Sequence, residues 1–405
     1  MTRNQTRTDT ARSRYRIAVR FVVLIGVLSL FADLTYEGAR AINGSYLAVL
    51  GATAAAVGVI SGAGELAGYL IRWVSGTLAH HTRRYWLWTA VGYVINLFAA
   101  PALALTSNWP AAAALIIAER IGKGFRNPPR DVMLSHAGSV IGQGWAFALR
   151  EALDQLGAMA GPLMVAGILL ARPGDFHLAY AWLLIPAVVS LLVLTVARLT
   201  FPRPHELEQP TTRRPTPAPS TGRLPRAFWR YLAAMALMAA GYADFNLLSF
   251  HLQKSGQHTG VIPLLYTLAM GTAGLSALIF GRWFDHSGVR ALAVATVLAA
   301  LFAPLTFLGN LATAAIGVAL WGIGMGIQDS LMNAPLAEMI HPDQRARAFG
   351  LFSALYGIAW FAGSTLLGIL YDHSLTAVVA FSVIAQAAAA ALLATTRRPR
   401  QTTVA

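Results

Sequence analysis

Long apolar stretches recur from one end of the chain to the other, and they restrict its fold more than any other feature. Many of them exceed the roughly 18 residues that a helix needs to cross a bilayer. Hydrophobic residues make up 56% of the 405 residues and charged residues 12%, about half of the ~25% that is usual in a soluble domain. The sequence therefore predicts an all-α, polytopic membrane protein.

Counting the apolar segments gives twelve predicted helices in two groups of six. In the first group the segments break at Asn43-Gly44, His80 to Arg84, Ser107-Asn108, Gly138 to Gly144 and Arg172 to Asp175. In the second group they break at Gln253 to His258, Asp285 to Arg290, Gly309-Asn310, His341 to Arg347 and Tyr371 to Ser374. We expect a tail (1–20), a six-helix bundle (21–200), a linker (201–226), a second bundle (227–396) and a tail (397–405).

The placement of basic residues predicts the orientation. The chain has 31 basic and 17 acidic residues, a formal net charge of +14, and arginines cluster before the first span, in the linker and at the C-terminus. This is the positive-inside pattern, so both termini and the linker, with its seven prolines, are expected in the cytoplasm. This placement of charge suits a multi-pass membrane protein, and no nucleic-acid partner is expected. No cleavable signal is expected either.

An internal repeat supports the division into two halves. Residues 144–161 align without a gap on residues 346–363, which pairs Phe147 with Phe349, Leu153 with Leu355 and Gly161 with Gly363. The aligned segments are the fifth predicted helix of each six. Internal symmetry of this kind is a hallmark of secondary transporters.

Short motifs occur in both halves, and two of them form loops at corresponding places. The loop after the eighth span reads G-R-W-F-D-H-S-G-V-R (281–290), and the loop after the second reads G-T-L-A-H-H-T-R-R (76–84). The fourth span carries R-I-G-K-G (120–124), and the fifth carries G-A-M-A-G-P (157–162). These segments resemble the loop, arginine and antiporter motifs of the major facilitator superfamily. His80 departs from the pattern, because the family usually has aspartate there.

In the first half, two motifs resemble those of a smaller group within the family. D-L-T-Y-E (33–37) and G-K-G-F-R-N-P-P-R-D (122–131) resemble a bacterial subgroup whose neighbours are drug exporters. The resemblance implies two pseudo-symmetric six-helix bundles around a central cavity, transport by alternating access, and a gating role for the two loops.

Ionisable residues at membrane depth are the candidates for chemistry, because each costs several kcal/mol unless it is paired, neutralised or hydrated. Asp33, Glu37 and Arg40 lie at i, i+4 and i+7, on one face of the first span. Asp33 lies ~20 Å along the helix from Arg20, past the bilayer centre. We predict that Asp33 or Glu37 exchanges protons. The alternative is a static Glu37–Arg40 pair that orients the end of the helix.

Other polar residues at depth are predicted to line a substrate cavity, and two alternatives stay open among them. Glu65 either joins this cavity or satisfies a buried arginine. Arg120 and Lys123 either attract an anionic or zwitterionic ligand, or Arg120 helps to relay protons. The predicted cavity residues are Tyr36, Arg40, Glu65, Glu119, Arg120, Lys123, Tyr242, Asp244, Gln328 and Asp329.

A second set of charged and loop residues is predicted to gate the cytoplasmic face. Arg150 and Asp154 stand one helical turn apart, a spacing that allows an ion pair. The predicted gate residues are Gly76, His80, Arg84, Arg126, Arg130, Asp131, Arg150, Asp154, Asp285 and Arg290.

The sequence favours a proton-coupled secondary transporter, an antiporter that exports small amphipathic or charged organic compounds. A transporter or facilitator of an anionic metabolite or a metal chelate is the alternative, and a non-transporting membrane sensor is the second alternative. The chain has no P-loop, no nucleophile elbow and no metal-ligand spacing, and no cysteine. We therefore expect no enzyme activity, no cofactor and no bound metal, and we expect a monomer.

Overall fold

The computed structural model describes residues 2–207, 224–332, 334–340 and 344–395, without the side chains of residues 2–12, 285, 334, 337, 338 and 346. Most of the predicted linker and the C-terminal tail therefore lie outside the described residues. The described chain is helical throughout, apart from short turns and loops. Its long helices are labelled α1 to α12.

The first six long helices are α1 (Thr2–Val49), α2 (Ala54–Thr82), α3 (Tyr85–Ala102), α4 (Trp109–Ile141), α5 (Gln143–Ala171) and α6 (Phe176–Thr200). The last six are α7 (Arg226–Lys254), α8 (Val261–Ser287), α9 (Val289–Phe307), α10 (Leu311–Leu331), α11 (Arg345–His373) and α12 (Leu375–Thr395). Three of them consist of two pieces: α6 is interrupted at Leu183, α7 between Gly241 and Phe245, and α9 at Leu301.

Eleven of these twelve helices are long and apolar enough to cross a membrane. The exception is α4, whose length is sufficient but whose inner part carries charges. Its six aspartate, glutamate, lysine and arginine residues are Glu119, Arg120, Lys123, Arg126, Arg130 and Asp131. Charged side chains at membrane depth are tolerated where they face other protein groups rather than lipid. The prediction of an all-α polytopic membrane protein is confirmed.

The predicted helix break at Asn43-Gly44 is wrong. α1 continues to Val49, and the chain turns over residues 50–53, where Gly51 has a φ of +82°. Tertiary packing accounts for the difference, because Gly44 faces the backbone of Asn246 and the Ser45 hydroxyl donates to the Ser249 carbonyl over 3.1 Å. Such contacts outweigh the weak local preferences of asparagine and glycine.

Two other predicted helix boundaries also differ from those in the structure. α1 begins at Thr2, so the backbone of the predicted N-terminal tail is already helical. The predicted break at residues 138–144 narrows to Gly142, whose φ of +99° is a conformation that glycine adopts without a steric penalty.

The chain forms two compact units that differ from the predicted halves in one segment. The first unit contains Met1–Ala39 and Leu70–Arg214, and the second contains Arg40–Tyr69 and Pro215–Ala405. The segment 40–69 belongs to the second unit because the C-terminal part of α1 packs closely on α7 and the N-terminal part of α2 packs closely on α11. The boundary at residues 201–226 stays a prediction.

The repeat-aligned glycines Gly161 and Gly363 occupy equivalent places in the two units. A Cβ on Gly161 would overlap the carbonyl oxygen of Leu34 in α1, and a Cβ on Gly363 would overlap the backbone of Ala240 in α7. In each unit a glycine on the fifth helix therefore lets that helix approach the first helix of the same group. Small residues at such crossings are typical of membrane helices.

Replacing Gly161 with alanine should destabilise the protein, because the added methyl group overlaps backbone that cannot turn away. Overpacking of this kind costs about 1–3 kcal/mol. Gly167, also in α5, has open space where its Cβ would lie, so Gly167→Ala is the matched control. Thermal unfolding in detergent should show a lower midpoint for Gly161→Ala only. Equal midpoints for the two variants would contradict the packing.

Candidate functional site

In the first unit, the polar face of α1 meets the charged face of α4. The Arg126 guanidinium contacts the Asp33 carboxylate, with 2.7 Å between Nη2 and Oδ1. The Arg126 side chain is 1% exposed and that of Asp33 is 13% exposed. A charge-assisted hydrogen bond of this length is strong, so the pair is a fixed, buried link between the two helices.

A second and looser ion pair lies one turn further along α1. The Lys123 ammonium is 3.5 Å from Oε1 of Glu37, and its side chain is 22% exposed, against 9% for Glu37. The lysine is thus more accessible than Arg126, and its pair is longer. Of the two ion pairs, the one between Glu37 and Lys123 is the easier to open.

Tyr36 holds two cations of α4 in place. Nζ of Lys123 lies 3.6 Å from the centroid of the Tyr36 ring, a close cation–π contact. The Arg120 guanidinium donates a hydrogen bond to the Tyr36 hydroxyl. The ring is buried, so it acts here as a support for these cations.

The spacing of residues explains why these groups meet. Residues 120, 123 and 126 follow one another at intervals of three on α4, and residues 33, 36 and 37 share a face of α1. Gly122 lets α3 approach α4, because a Cβ there would overlap Asn96. The Asn96 side chain also donates to the carbonyl of Glu119 over 3.0 Å. Glu119 itself is buried.

Arg126, a predicted gate residue, belongs to this cluster, and its gating role stays a prediction. Besides Asp33, its guanidinium lies 4.7 Å from the centroid of the Tyr93 ring. The last cation of the G-K-G-x-R-x-x-P-R-D segment, Arg130, contacts Asp131 at 3.0 Å and donates to the Ser29 hydroxyl over 3.2 Å. With Lys123 and Arg126, three cations of this segment therefore contact α1.

The ion pair predicted within α5 is present. Arg150 contacts Asp154 one turn away, and it also contacts Glu151 at 2.7 Å. Glu151 is exposed, whereas Asp154 is buried. Whether these groups gate the protein stays a prediction.

In the second unit, Arg40 is the centre of a separate buried cluster. Its guanidinium is 3.2 Å from the Asp244 carboxylate and 4.0 Å from the Glu65 carboxylate. The contact with Glu65 favours the interpretation that Glu65 satisfies a buried arginine. Arg72, the one arginine of α2, is exposed.

Asp244 also stabilises the interruption in α7, a feature that the sequence analysis missed. Its Oδ1 accepts from the backbone N–H of Asn246 over 2.9 Å, which caps the second piece of the helix. The Trp321 indole N–H donates to the carbonyl of Ala243 over 2.8 Å. The signal was present in the sequence, because Gly241 is followed by an aspartate that can cap a new helix start.

Tyr242 and Gln328, both predicted to line a cavity, are packed inside the second unit. The Tyr242 ring stacks on Trp321, with 5.6 Å between centroids, and it is fully buried. Gln328 accepts a hydrogen bond of 2.6 Å from the Tyr356 hydroxyl. Asp329 is exposed. The role of all three in binding stays a prediction.

The segments predicted as gate loops are mostly helical, because α2 continues to Thr82 and α8 continues to Ser287. His80, Arg84 and Arg290 are exposed, and Gly76 lies beside Pro128, which a Cβ on this glycine would reach at 3.7 Å. The side chain of Asp285 lies outside the described part of the chain. Among the described side chains, no group of three histidine, aspartate or glutamate residues could hold a metal ion.

Comparisons with known proteins agree with the helical membrane fold. The Major Facilitator Superfamily model matches residues 245–405. The chain is 40% identical to an uncharacterized protein of Mycobacterium tuberculosis over 385 residues, 95% of this chain and 94% of the relative. It is 22% identical to an uncharacterized MFS-type transporter of Methanocaldococcus jannaschii over 362 residues, 87% of this chain and 89% of the relative.

Solved structures of transporters share the fold. A mutant of the nucleoside transporter NupG aligns with a TM-score of 0.74 at 14% identity, covering 92% of this chain and 99% of that one. A mutant of the peptide transporter POT aligns with a TM-score of 0.70 at 14% identity, covering 94% and 96%. At this identity the likeness concerns the fold alone.

Replacing Asp33 with asparagine should destabilise the protein, because it removes the carboxylate from a fully buried guanidinium. Breaking a buried pair from one side costs about 3–5 kcal/mol. The control is Glu206→Gln, which breaks the Arg203–Glu206 pair, whose side chains are 71% and 61% exposed. An exposed pair contributes about 0–1 kcal/mol. Thermal unfolding in detergent measures both, and equal shifts would contradict the assignment.

Proposed function

We propose, from the premise that the chain belongs to the major facilitator superfamily of transporters, that it is a proton-coupled secondary transporter. Its cargo is a small amphipathic or charged organic compound, exported in exchange for protons by alternating access. Membership in this family makes the protein a multi-pass membrane transporter rather than an enzyme. We place it in a bacterial inner membrane as a monomer, with both termini in the cytoplasm.

The observation that supports coupling is the Glu37–Lys123 pair beside the Tyr36 ring. A carboxylate that contacts an ammonium group stays ionised, and it takes up a proton readily only when that cation moves away. The pair is long, and its lysine is exposed enough to move away, whereas the pair of Asp33 with Arg126 is shorter and its arginine is 1% exposed. We therefore assign the exchanged proton to Glu37 and a structural role to Asp33.

The charge of the cargo then determines the direction of coupling. A cationic group on the cargo competes with Lys123 and with protons for Glu37, so that cargo and proton bind alternately, which is antiport. An anionic group competes with Glu37 for Lys123, and the released glutamate then binds a proton together with the anion. The anionic alternative therefore predicts symport.

Replacing Glu37 with glutamine should abolish cargo-driven proton movement, because glutamine cannot exchange a proton. Proteoliposomes with an internal pH dye, screened against cationic, zwitterionic and anionic compounds, provide the measurement. We expect at least a tenfold loss of proton flux, of the order that a lost ionisable carrier causes. Glu206→Gln, which changes an exposed glutamate outside the predicted cavity and gate, is the control and should keep normal flux.

Proton flux that survives both Glu37→Gln and Asp33→Asn would contradict coupling at α1. If compounds bind but none is transported, the result would support the alternative hypothesis of a non-transporting membrane sensor.

Replacing Lys123 with alanine distinguishes the two cargo classes. If the cargo is cationic, the variant should bind it at least as tightly as the native protein, because a competing cation has been removed from Glu37. If the cargo is an anionic metabolite or a metal chelate, binding should fall by about tenfold or more, the loss of one charged contact. Isothermal titration with the compound identified in the flux screen measures the difference.

A further inference from the structure

A side chain at the C-terminal, outer end of α11 forms hydrogen bonds with the first turn of α2. The two carboxylate oxygens of Asp372 accept hydrogen bonds from the backbone N–H groups of Ala54 and Ala55, over 3.0 and 2.9 Å. These N–H groups belong to the first turn of α2, where a helix has no internal acceptor for them. All three residues lie within the second compact unit.

The charge of Asp372 adds to these hydrogen bonds. A helix N-terminus carries about half a positive charge, and a carboxylate placed there is stabilising. The hydroxyl of Thr53 accepts from Ala56 over 3.1 Å, so α2 also has a local cap of its own. Asp372 is thus an additional contact supplied by a different helix, more than 300 residues away in the sequence.

The neighbouring residue fixes the position of Asp372. The hydroxyl of Tyr371 and Nδ1 of His251 in α7 are 2.9 Å apart, and the Tyr371 ring packs edge-on against Phe250 at 5.6 Å. The end of α11 is therefore anchored to α7 on one side while Asp372 reaches α2 on the other.

Glycines bring α2 and α11 close enough for this contact. A Cβ on Gly368 would overlap the carbonyl of Ala54, and a Cβ on Gly58 would overlap the carbonyl of Ser364. Gly62 faces the backbone of Phe361 in the same way. The two helices thus touch along their backbones from Gly62 to the outer end of α2, and the Asp372 contact closes that end.

We propose that Asp372 is a positioning residue that latches the outer ends of α2 and α11 together, and so sets the fraction of molecules in which this helix contact is closed. Between Gly58 and Gly368 the two helices meet backbone to backbone, a contact that is not directional. The two hydrogen bonds of Asp372 are directional and must break when the helix ends part. Because the carboxylate is exposed, water can solvate it once it is released, so the latch is reversible.

The proposal predicts that removing the carboxylate opens the contact. The chain contains no cysteine, so a single introduced cysteine is an unambiguous reporter. Ser364 is buried on α11 opposite Gly58, and Ser364→Cys reports whether the contact is open. Labelling by a hydrophilic maleimide in open membrane fragments gives its rate, whichever face the reagent enters from.

Asp372→Ala should raise the labelling rate of Ser364→Cys about fivefold, the change in a two-state ratio that loss of a typical helix cap produces. Asp372→Asn keeps one acceptor oxygen and should restore part of the protection. The matched control is Asp175→Ala. Asp175 caps its own helix α6, accepting from Leu178 over 3.0 Å, and its loss should leave the labelling rate unchanged.

A second reporter separates local opening from unfolding. Ser190→Cys replaces a fully buried serine of α6 that donates to the Leu28 carbonyl, and it should stay unlabelled in every variant. If Ser190→Cys becomes labelled in the Asp372→Ala variant, that variant is unfolded, and the latch is then tested with Asp372→Asn alone. Unchanged labelling of Ser364→Cys in the Asp372 variants would overturn the latch. The outcome does not depend on which ion drives transport.

Discussion

The cost of placing charge inside a membrane constrains this protein more than any other factor. α4 carries six ionisable residues within thirteen positions, and a helix of this kind is stable at depth only if other protein groups surround its charges. α1 supplies those groups in the first unit: a carboxylate for Arg126, a carboxylate and an aromatic face for Lys123, and hydroxyl groups for Arg120 and Arg130. The packing of α1 against α4 follows from this requirement.

The two ion pairs between α1 and α4 differ in their cation and in their length, and each suits a different task. Arginine keeps its proton and forms rigid, planar hydrogen bonds, whereas a lysine ammonium is a mobile point charge on a flexible stem. The Asp33–Arg126 pair is short and buried, and the Glu37–Lys123 pair is longer and more open. A transporter needs both a stable framework at depth and one charge that can change partners, and the two pairs meet these needs separately.

The sequence predicted the helices and the faces that carry the charges, but not which faces meet. Helical spacing places Asp33, Glu37 and Arg40 on one face, but it identifies no partner on another helix. The structure shows that Arg40 contacts Asp244 and Glu65, and that Glu37 contacts Lys123. Periodicity describes one helix at a time, so a partner on another helix can be recognised only once the packing is known.

The interruption in α7 and the cap by Asp372 were missed for a related reason. Both depend on contacts between residues that are distant in the sequence, such as Trp321 with Ala243 and Asp372 with Ala54. Gly44 and Gly142 illustrate the same limit, because both were read as part of a break and only Gly142 lies at one. Glycine in a membrane helix marks close packing as often as a turn, and the packing partner decides between the two.

The central claim is that Glu37 changes its protonation state while Asp33 stays ionised. Infrared difference spectroscopy of the protein in bilayers, between high and low pH, measures this directly through the carbonyl stretch of a protonated carboxyl group. The account predicts a band that disappears in Glu37→Gln and persists in Asp33→Asn. A band that survives in Glu37→Gln and disappears in Asp33→Asn would contradict it.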